Sequence, residues 1–185
     1  GGVSLSFLLA RCLGPEGVGQ FVIGQMLVII LSLFGRFGCT QLVTRNIALN
    51  HEKKSIRKYV ITVSKNIFII SSLVCMPFII IIFFTEAELF NEYFLFVLAV
   101  PFFSLSYLFS AVFKGISKVV ISSFLENGFI CFVSAVVIVF GLFFVDFNLK
   151  LVSGVYLVGC VVSAMAGYLL LRNFMPRLSI GSNVQ

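Results

Sequence analysis

The apolar residues of this chain come in long blocks separated by short polar segments. The blocks are about 20 residues long and are not the amphipathic stripes of a soluble helical protein. At about 1.5 Å per residue, such a block forms a helix long enough to cross the ~30 Å hydrocarbon core of a bilayer. The pattern predicts helices at about 1–13, 19–43, 59–84, 94–113, 119–145 and 151–171.

The first block is shorter than the others. Residues 1–13 are too few to cross a bilayer. The sequence GPEG at 14–17 predicts a turn, because Pro fixes one dihedral angle and Gly tolerates the others. The chain opens without Met and without the basic region of a signal peptide. We therefore expect the second half of a truncated helix here, in a chain that is a fragment of a longer one.

Composition agrees with a protein for which lipid is part of the solvent. Of the 185 residues, 60% are hydrophobic and 11% are charged, and the mean hydropathy is +1.14. The formal net charge is +6. Because the positive residues flank the apolar blocks, they favour contact with anionic lipid headgroups over nucleic acid, which we do not expect as a partner.

The positive residues are unevenly distributed between alternate polar segments. One set of segments carries ten, namely Arg45, Lys53, Lys54, Arg57, Lys58, Lys65, Lys114, Lys118, Arg172 and Arg177, and the other set carries two, Arg11 and Lys150. Short segments rich in Lys and Arg stay in the cytoplasm. The segment 45–58 and the C-terminal tail, 174–185, are therefore predicted to be cytoplasmic, and the acidic TEAELFNEY segment to face outward.

No pattern indicates a metal centre, a cofactor or an enzyme. The five Cys residues are scattered without a CxxC pair, and His51 is the lone histidine, so neither a zinc site nor a disulfide framework is expected. The sequence has no GxxxxGK[ST] phosphate loop, no Ser/His/Asp set and no paired aspartates at a membrane face.

Three of the predicted helices carry polar residues along one face. The groups are Gln25, Ser32, Arg36 and Thr40 on the second helix, Ser106, Tyr107, Ser110 and Lys114 on the fourth, and Ser123, Glu126, Asn127 and Ser134 on the fifth. A lone helix in lipid has no reason to collect polar groups on one side, so these faces indicate a bundle around a polar cavity. The sixth helix has Gly159, Ser163 and Gly167 at a spacing that permits close packing.

Arg36 and Glu126 lie at similar depths in their predicted helices, about 7 to 9 Å from the midpoints toward the cytoplasm. Similar depth allows the two side chains to pair. One reading is structural, either an ion pair or an arginine that extends to the interface. The other is functional: Arg36 offers a cation to an anionic substrate, and Glu126 holds it or moves a proton. The sequence leaves both readings open.

Two stretches carry a resemblance to a known family. They are ARCLGPEGVGQFVIGQMLVIILSLFGRFGCTQLVTRNIA and LSYLFSAVFKGISKVVISSFLENGF. Over residues 8–171 the chain resembles the lipid-linked O-antigen repeat-unit flippases of the multidrug/oligosaccharidyl-lipid/polysaccharide exporter superfamily. The resemblance implies an all-α membrane protein with a MATE-like fold of two six-helix lobes. Residues 1–173 would form the first lobe, with its first helix truncated, and 174–185 would lead to the second.

The resemblance also implies a function. Such proteins flip undecaprenyl-pyrophosphate-linked oligosaccharide across the bacterial inner membrane by alternating access, with the lipid bilayer and a polysaccharide polymerase as further partners. Cationic residues in the cavity of related flippases hold the pyrophosphate, a role open here to Arg36 and Arg45. With Gln25 and Glu126 of the polar faces, they form the candidate substrate-binding set.

Two alternatives stay open. A cation-coupled multidrug exporter of the same superfamily would share the lobe and would use an intramembrane acid, for which Glu126 is the candidate. A membrane-embedded polymerase or glycosyltransferase of polysaccharide synthesis would need a large outer loop with catalytic Arg or Asp residues. The outer segments predicted here are shorter than about ten residues, which argues against the enzyme.

Overall fold

The computed structural model describes residues 2–49, 53–84, 88–141 and 149–177, and within these ranges the chain is built of helices. They are α1 (Gly2–Arg36), α2 (Cys39–Leu49), α3 (Lys53–Phe84), α4 (Glu88–Gly115), α5 (Val119–Ser123), α6 (Phe129–Gly141) and α7 (Leu149–Arg177). A π-helical turn, Phe124–Gly128, joins α5 to α6. The prediction of an all-α protein is confirmed.

Four of the described helices are long and apolar enough to cross a membrane. The spanning parts are Leu13–Arg36, Lys58–Ile81, Tyr93–Gly115 and Leu149–Asn173. The pair Val119–Glu126 and Phe129–Val139 passes the same test as a fifth span, bent by 49°. The chain is a multi-pass membrane protein.

The turn predicted at Gly14 is a break inside α1. Gly14 has φ 71° and ψ 178°, which are not helical values, and glycine reaches a positive φ without the steric cost that a Cβ atom imposes. Pro15 follows it. Proline suits the first turn of a helix, because its fixed φ is helical and its missing N–H is not needed there. α1 is therefore kinked at Gly14, next to the start of its spanning part at Leu13.

The prediction of one helix over 19–43 is wrong at its C-terminal end. α1 ends at Arg36, and Phe37 and Gly38 have positive φ values of 39° and 71°, through which a right-handed helix cannot continue. α2 then begins at Cys39 as a separate amphipathic helix. It contacts α4 and buries Val43 and Ile47. Gly35 and Gly38 flank the break, but isolated glycines are tolerated inside helices, so the sequence pattern does not reveal it.

The other predicted helices are present with different limits. α3 and α4 begin at Lys53 and Glu88, earlier than predicted, so most of the basic segment 45–58 is helical. The helix predicted at 119–145 is the bent pair, and its last residues lie outside those described. α7 extends to Arg177. The assignment of 1–173 to one lobe and 174–185 to a linker stays a prediction.

α4 is the centre of the bundle. It contacts α1, α2, α3, α5 and α7. Its buried residues include Phe96, Val97, Val100, Leu108 and Val112, all 0% exposed. Large apolar side chains on the outer faces of the other helices are exposed, among them Leu33, Leu73 and Met165. This distribution is expected where lipid surrounds the bundle.

Candidate functional site

Arg36 is the last residue of α1 and is only 9% exposed. Its side chain turns back along its own helix. Nε donates a hydrogen bond to the backbone oxygen of Ser32 at 3.0 Å, and Nη2 donates to Ser32 Oγ at 3.3 Å. The negative end of the helix dipole also favours a cation at this position. Because α1 stops here, the charge has a favourable local environment within the membrane.

α4 supplies an aromatic ring on which the guanidinium lies. Cζ of Arg36 is 4.2 Å from the centroid of the Tyr107 ring, a cation–π contact worth about 0.5 to 2 kcal/mol. The centroids of the Tyr107 and Phe103 rings are 4.9 Å apart, and Phe103 is fully buried. The ring is therefore held in place, and it positions the guanidinium.

The guanidinium retains hydrogen-bonding capacity. It has five N–H donors in a rigid fork, and among the described residues only Ser32 accepts from it, through two bonds. The planar fork matches the oxygens of a phosphate group. Arg36, Ser32 and Tyr107 together form a cationic centre that is suited chemically to an oxyanion. We call these three residues the Arg36 centre.

Glu126 does not form the direct ion pair with Arg36 that their depths allowed. Its Oε2 accepts a hydrogen bond from Nζ of Lys114 at 2.8 Å, because the π-helical turn sets Glu126 beside the last turn of α4. The carboxylate remains within electrostatic range of Arg36. Lys114 thus neutralises Glu126, and the net positive charge of the three side chains is that of Arg36.

The other two predicted binding residues are not brought to Arg36. Gln25 is half-buried on α1, eleven residues before Arg36 and so about 16 Å away along the helix. Arg45 is exposed on α2, beyond the break at Phe37 and Gly38. The substrate-binding roles of Gln25, Arg45, Arg36 and Glu126 stay predictions.

Sequence reasoning missed how α4 is joined to the bent span. Ser110 Oγ lies 2.8 Å from Ser122 Oγ and donates to the backbone oxygen of Ser122 at 3.1 Å, and both serines are buried. This contact lies beside the ion pair of Lys114 and Glu126. Ser110 and Lys114 are four residues apart, as are Ser122 and Glu126. That matched spacing is the signal that would have revealed the contact.

Some predicted features lie outside the described residues. They include His51, residues 85–87 of the segment predicted to face outward, the connection 142–148 and the tail beyond Arg177. Among the described residues, no group of three or more His, Cys, Asp or Glu side chains could hold a metal ion.

Comparison with known proteins gives one match. A family model described as "polysaccharide biosynthesis protein" matches residues 5–184, so it covers the Arg36 centre and the bent span. No curated protein matches the chain, and no solved structure does.

Proposed function

The chain belongs to the polysaccharide biosynthesis protein family, and we propose that it flips an undecaprenyl-pyrophosphate-linked oligosaccharide, an O-antigen or capsule repeat unit. It is a multi-pass membrane protein with a role in polysaccharide biosynthesis or export. In the proposal, it moves the lipid-linked unit from the cytoplasmic to the outer leaflet of a bacterial inner membrane. It acts as a carrier and catalyses no covalent step.

The observation that carries the proposal is the buried guanidinium of Arg36. An arginine at the centre of a span costs about 2.5 to 3.5 kcal/mol on insertion scales, and one at the end of a span, such as Arg36, costs less. Charges within membranes mark the pathways of polar substrates. Ser32 and Tyr107 orient this cation. Its remaining donors suit the oxygens of a pyrophosphate, the most strongly charged part of the proposed substrate.

The charge arrangement supports reversible binding. Glu126 is paired with Lys114, so no carboxylate competes with the substrate for the guanidinium among the described residues. The aromatic ring and the serine hold the cation without neutralising it. Arg36 can therefore bind an anion on one side and release it after the protein changes conformation. We assign that change to the rocking of two lobes, of which this chain supplies the first.

The distribution of charge supports loading from the cytoplasmic side. Arg36 lies at the end of α1 that leads into the basic segment 45–58, and Lys114, Lys118 and Arg172 lie at the corresponding ends of α4, α5 and α7. Positive residues accumulate on the cytoplasmic side of membrane proteins. In this orientation the Arg36 centre is nearer to the cytoplasmic leaflet.

The test compares the wild type with Arg36→Ala and Arg36→Lys, expressed from the complete gene in a strain that lacks its flippase. The leaflet in which the lipid-linked oligosaccharide accumulates is measured, together with surface polysaccharide and membrane abundance. We expect Arg36→Ala to lower surface polysaccharide at least tenfold (about 1.4 kcal/mol), with the lipid-linked unit retained in the cytoplasmic leaflet. Arg36→Lys should restore part of it, because an ammonium keeps the charge but lacks the planar fork.

Arg172→Ala is the matched control, since Arg172 is an exposed arginine at the end of α7. It should behave as wild type. Wild-type behaviour of both Arg36 variants would show that the guanidinium has no part in transport. If the wild type itself fails to restore surface polysaccharide but protects cells from drugs, the multidrug exporter replaces the flippase. If the strain without the gene already holds single lipid-linked units in its outer leaflet, the activity that it lacks is that of a polymerase and not of a flippase.

A further inference from the structure

A groove lies on the outside of the bundle, between α3 and α7 and over α4. Its volume is about 540 Å³, within the range of small-ligand pockets. Apart from Ser64 and Lys65 at one end, its lining is formed by apolar and aromatic side chains, namely Phe68, Phe102, Leu105, Phe109, Val161, Ala164, Met165, Tyr168 and Leu169. All of these residues lie within the candidate membrane spans.

The groove is open to lipid and has fixed walls. Met165, Tyr168 and Leu169 of α7 are exposed, which in a membrane span means that they face lipid. One aromatic pair joins α3 to α4, and another joins α7 to α4. The ring centroids of Phe68 and Phe102 are 5.9 Å apart, and those of Phe109 and Tyr168 are 6.5 Å apart. The groove is therefore preformed and apolar.

Lys65 gives the groove a charged end. It lies seven residues inside the span that begins at Lys58, so about 10 Å along the helix, and it is exposed. Among the described residues, no carboxylate forms an ion pair with Lys65. A lysine at this depth extends its ammonium toward the headgroups. The phosphate of an anionic lipid has the complementary charge.

The groove is separate from the Arg36 centre. Leu105 lines the groove, whereas Tyr107 of the same helix contacts the guanidinium of Arg36. Two residues along a helix correspond to a rotation of about 200°, so these side chains leave opposite faces of α4. A substrate with its pyrophosphate at Arg36 would have to pass around α4 to reach the groove. The groove is therefore a site distinct from the Arg36 centre.

We propose that the groove binds one acyl chain of an anionic phospholipid, with the phosphate of that lipid at Lys65. Basic pockets between membrane helices on the cytoplasmic side bind anionic lipid headgroups, and a chain that enters the groove extends the contact into the hydrocarbon region. The lipid is a stationary ligand of the bundle and is not transported. This site goes beyond the proposed flippase activity and does not depend on it.

The test uses the protein expressed from the complete gene and reconstituted in phosphatidylcholine nanodiscs. The probe is phosphatidylglycerol with a photoreactive group in its acyl chain, and cross-linked residues are mapped by mass spectrometry. We expect cross-links in 161–169 and at Phe68 or Phe102. Unlabelled phosphatidylglycerol should displace the probe about fivefold more effectively than phosphatidylcholine, since one basic residue near the surface contributes ~1 kcal/mol.

Two variants separate the headgroup from the chain. Lys65→Ala should remove the preference for phosphatidylglycerol, whereas Lys150→Ala, at the other end of α7, should retain it. Ala164→Phe should abolish cross-linking, because the new ring fills the groove. The fold of Ala164→Phe is checked by size-exclusion chromatography and thermal unfolding. If Ala164→Phe does not fold, the result for Lys65→Ala tests the proposal.

Three results would overturn the proposal. Equal displacement by the two phospholipids, which both carry a phosphate but differ in net headgroup charge, would show that Lys65 does not select an anionic headgroup. Displacement by undecaprenyl phosphate alone would assign the groove to the tail of a polyprenyl lipid. Cross-links in nanodiscs to another protein segment in place of 161–169 would show that protein covers the groove. Arg36→Ala should leave the labelling unchanged, so failure here is distinguishable from failure of the flippase proposal.

Discussion

Arg36 illustrates how a single charge is accommodated inside this membrane protein. Its helix ends at this residue, its Nε and Nη2 bond to Ser32, and its guanidinium lies on Tyr107. The helix dipole, the hydrogen bonds and the ring each stabilise a cation. None of them is an anion. The residue is therefore stabilised as a cation while it keeps the capacity to bind an anion.

A substitution of Tyr107 tests whether the ring positions the guanidinium. Tyr107→Phe keeps the aromatic face and should preserve most export of surface polysaccharide. Tyr107→Leu removes the ring and should lower the initial export rate by about twofold to 30-fold, which corresponds to the loss of a cation–π contact of ~0.5 to 2 kcal/mol. The rate is measured at matched membrane abundance. Equal export rates for the two variants would mean that the ring fills space but does not position the guanidinium.

At the scale of helices, small residues set how closely the elements approach. A Cβ atom on Gly35 would lie 2.8 Å from Cβ and 3.0 Å from Cα of Ser71, so α1 meets the backbone of α3 there. Gly159 and Gly167, of the small-residue pattern of α7, likewise meet Ser134 and Phe109 within 3 Å. The close packing predicted from that spacing in α7 is confirmed.

Gly35→Ala tests the contact between α1 and α3. The added methyl group would clash with α3 and should force the helices apart, a cost of about 1 to 3 kcal/mol for overpacking. Gly19→Ala is the matched control on the same helix, because a Cβ atom there meets nothing within 4 Å. Thermal unfolding of the purified protein should show a Tm lowered by several degrees for Gly35→Ala only. A similar Tm for both variants would contradict the close approach.

At the scale of the whole molecule, the bundle is organised around α4, which contacts five of the other helices. Its two sides differ in character. One side bears Tyr107 and the Arg36 centre, and the other bears the apolar floor of the lipid-facing groove. A single central helix thus separates the proposed polar pathway from a proposed lipid site.

The predicted orientation can be tested by cysteine labelling. With the five native cysteines replaced, His51→Cys and Thr85→Cys are introduced singly and treated with a membrane-impermeant maleimide in spheroplasts. The excess of Lys and Arg beside His51 predicts that this side is cytoplasmic, so Thr85→Cys should be labelled directly and His51→Cys only after permeabilisation. The reverse result would invert the topology, and retained export by the cysteine-free protein is the control.

Much of the fold was accessible from the sequence, because a spanning helix must be long and continuously apolar. Helices are present near 59–84, 94–113 and 151–171 with somewhat different limits, and the turn predicted at 14–17 is a kink at Gly14 within α1. The break at Phe37 and Gly38 was missed, because isolated glycines such as Gly35 and Gly38 are tolerated inside a helix and do not by themselves mark its end. The bent span was missed for a similar reason: the π-helical turn Phe124–Gly128 changes hydrogen bonding without changing the hydrophobic pattern.

By itself, the sequence determined that this is a helical membrane protein, the approximate positions of most of its spans, and that Arg36 is a charge in one of them. These properties follow from the local chemistry of each segment and from the cost of placing polar groups in lipid. Only the tertiary structure decided which side chains contact one another. Glu126 pairs with Lys114, Arg36 lies on Tyr107, and Lys65 lies at the end of a groove. Such pairings depend on the rotation and crossing of helices, which distant contacts set and a single segment does not encode.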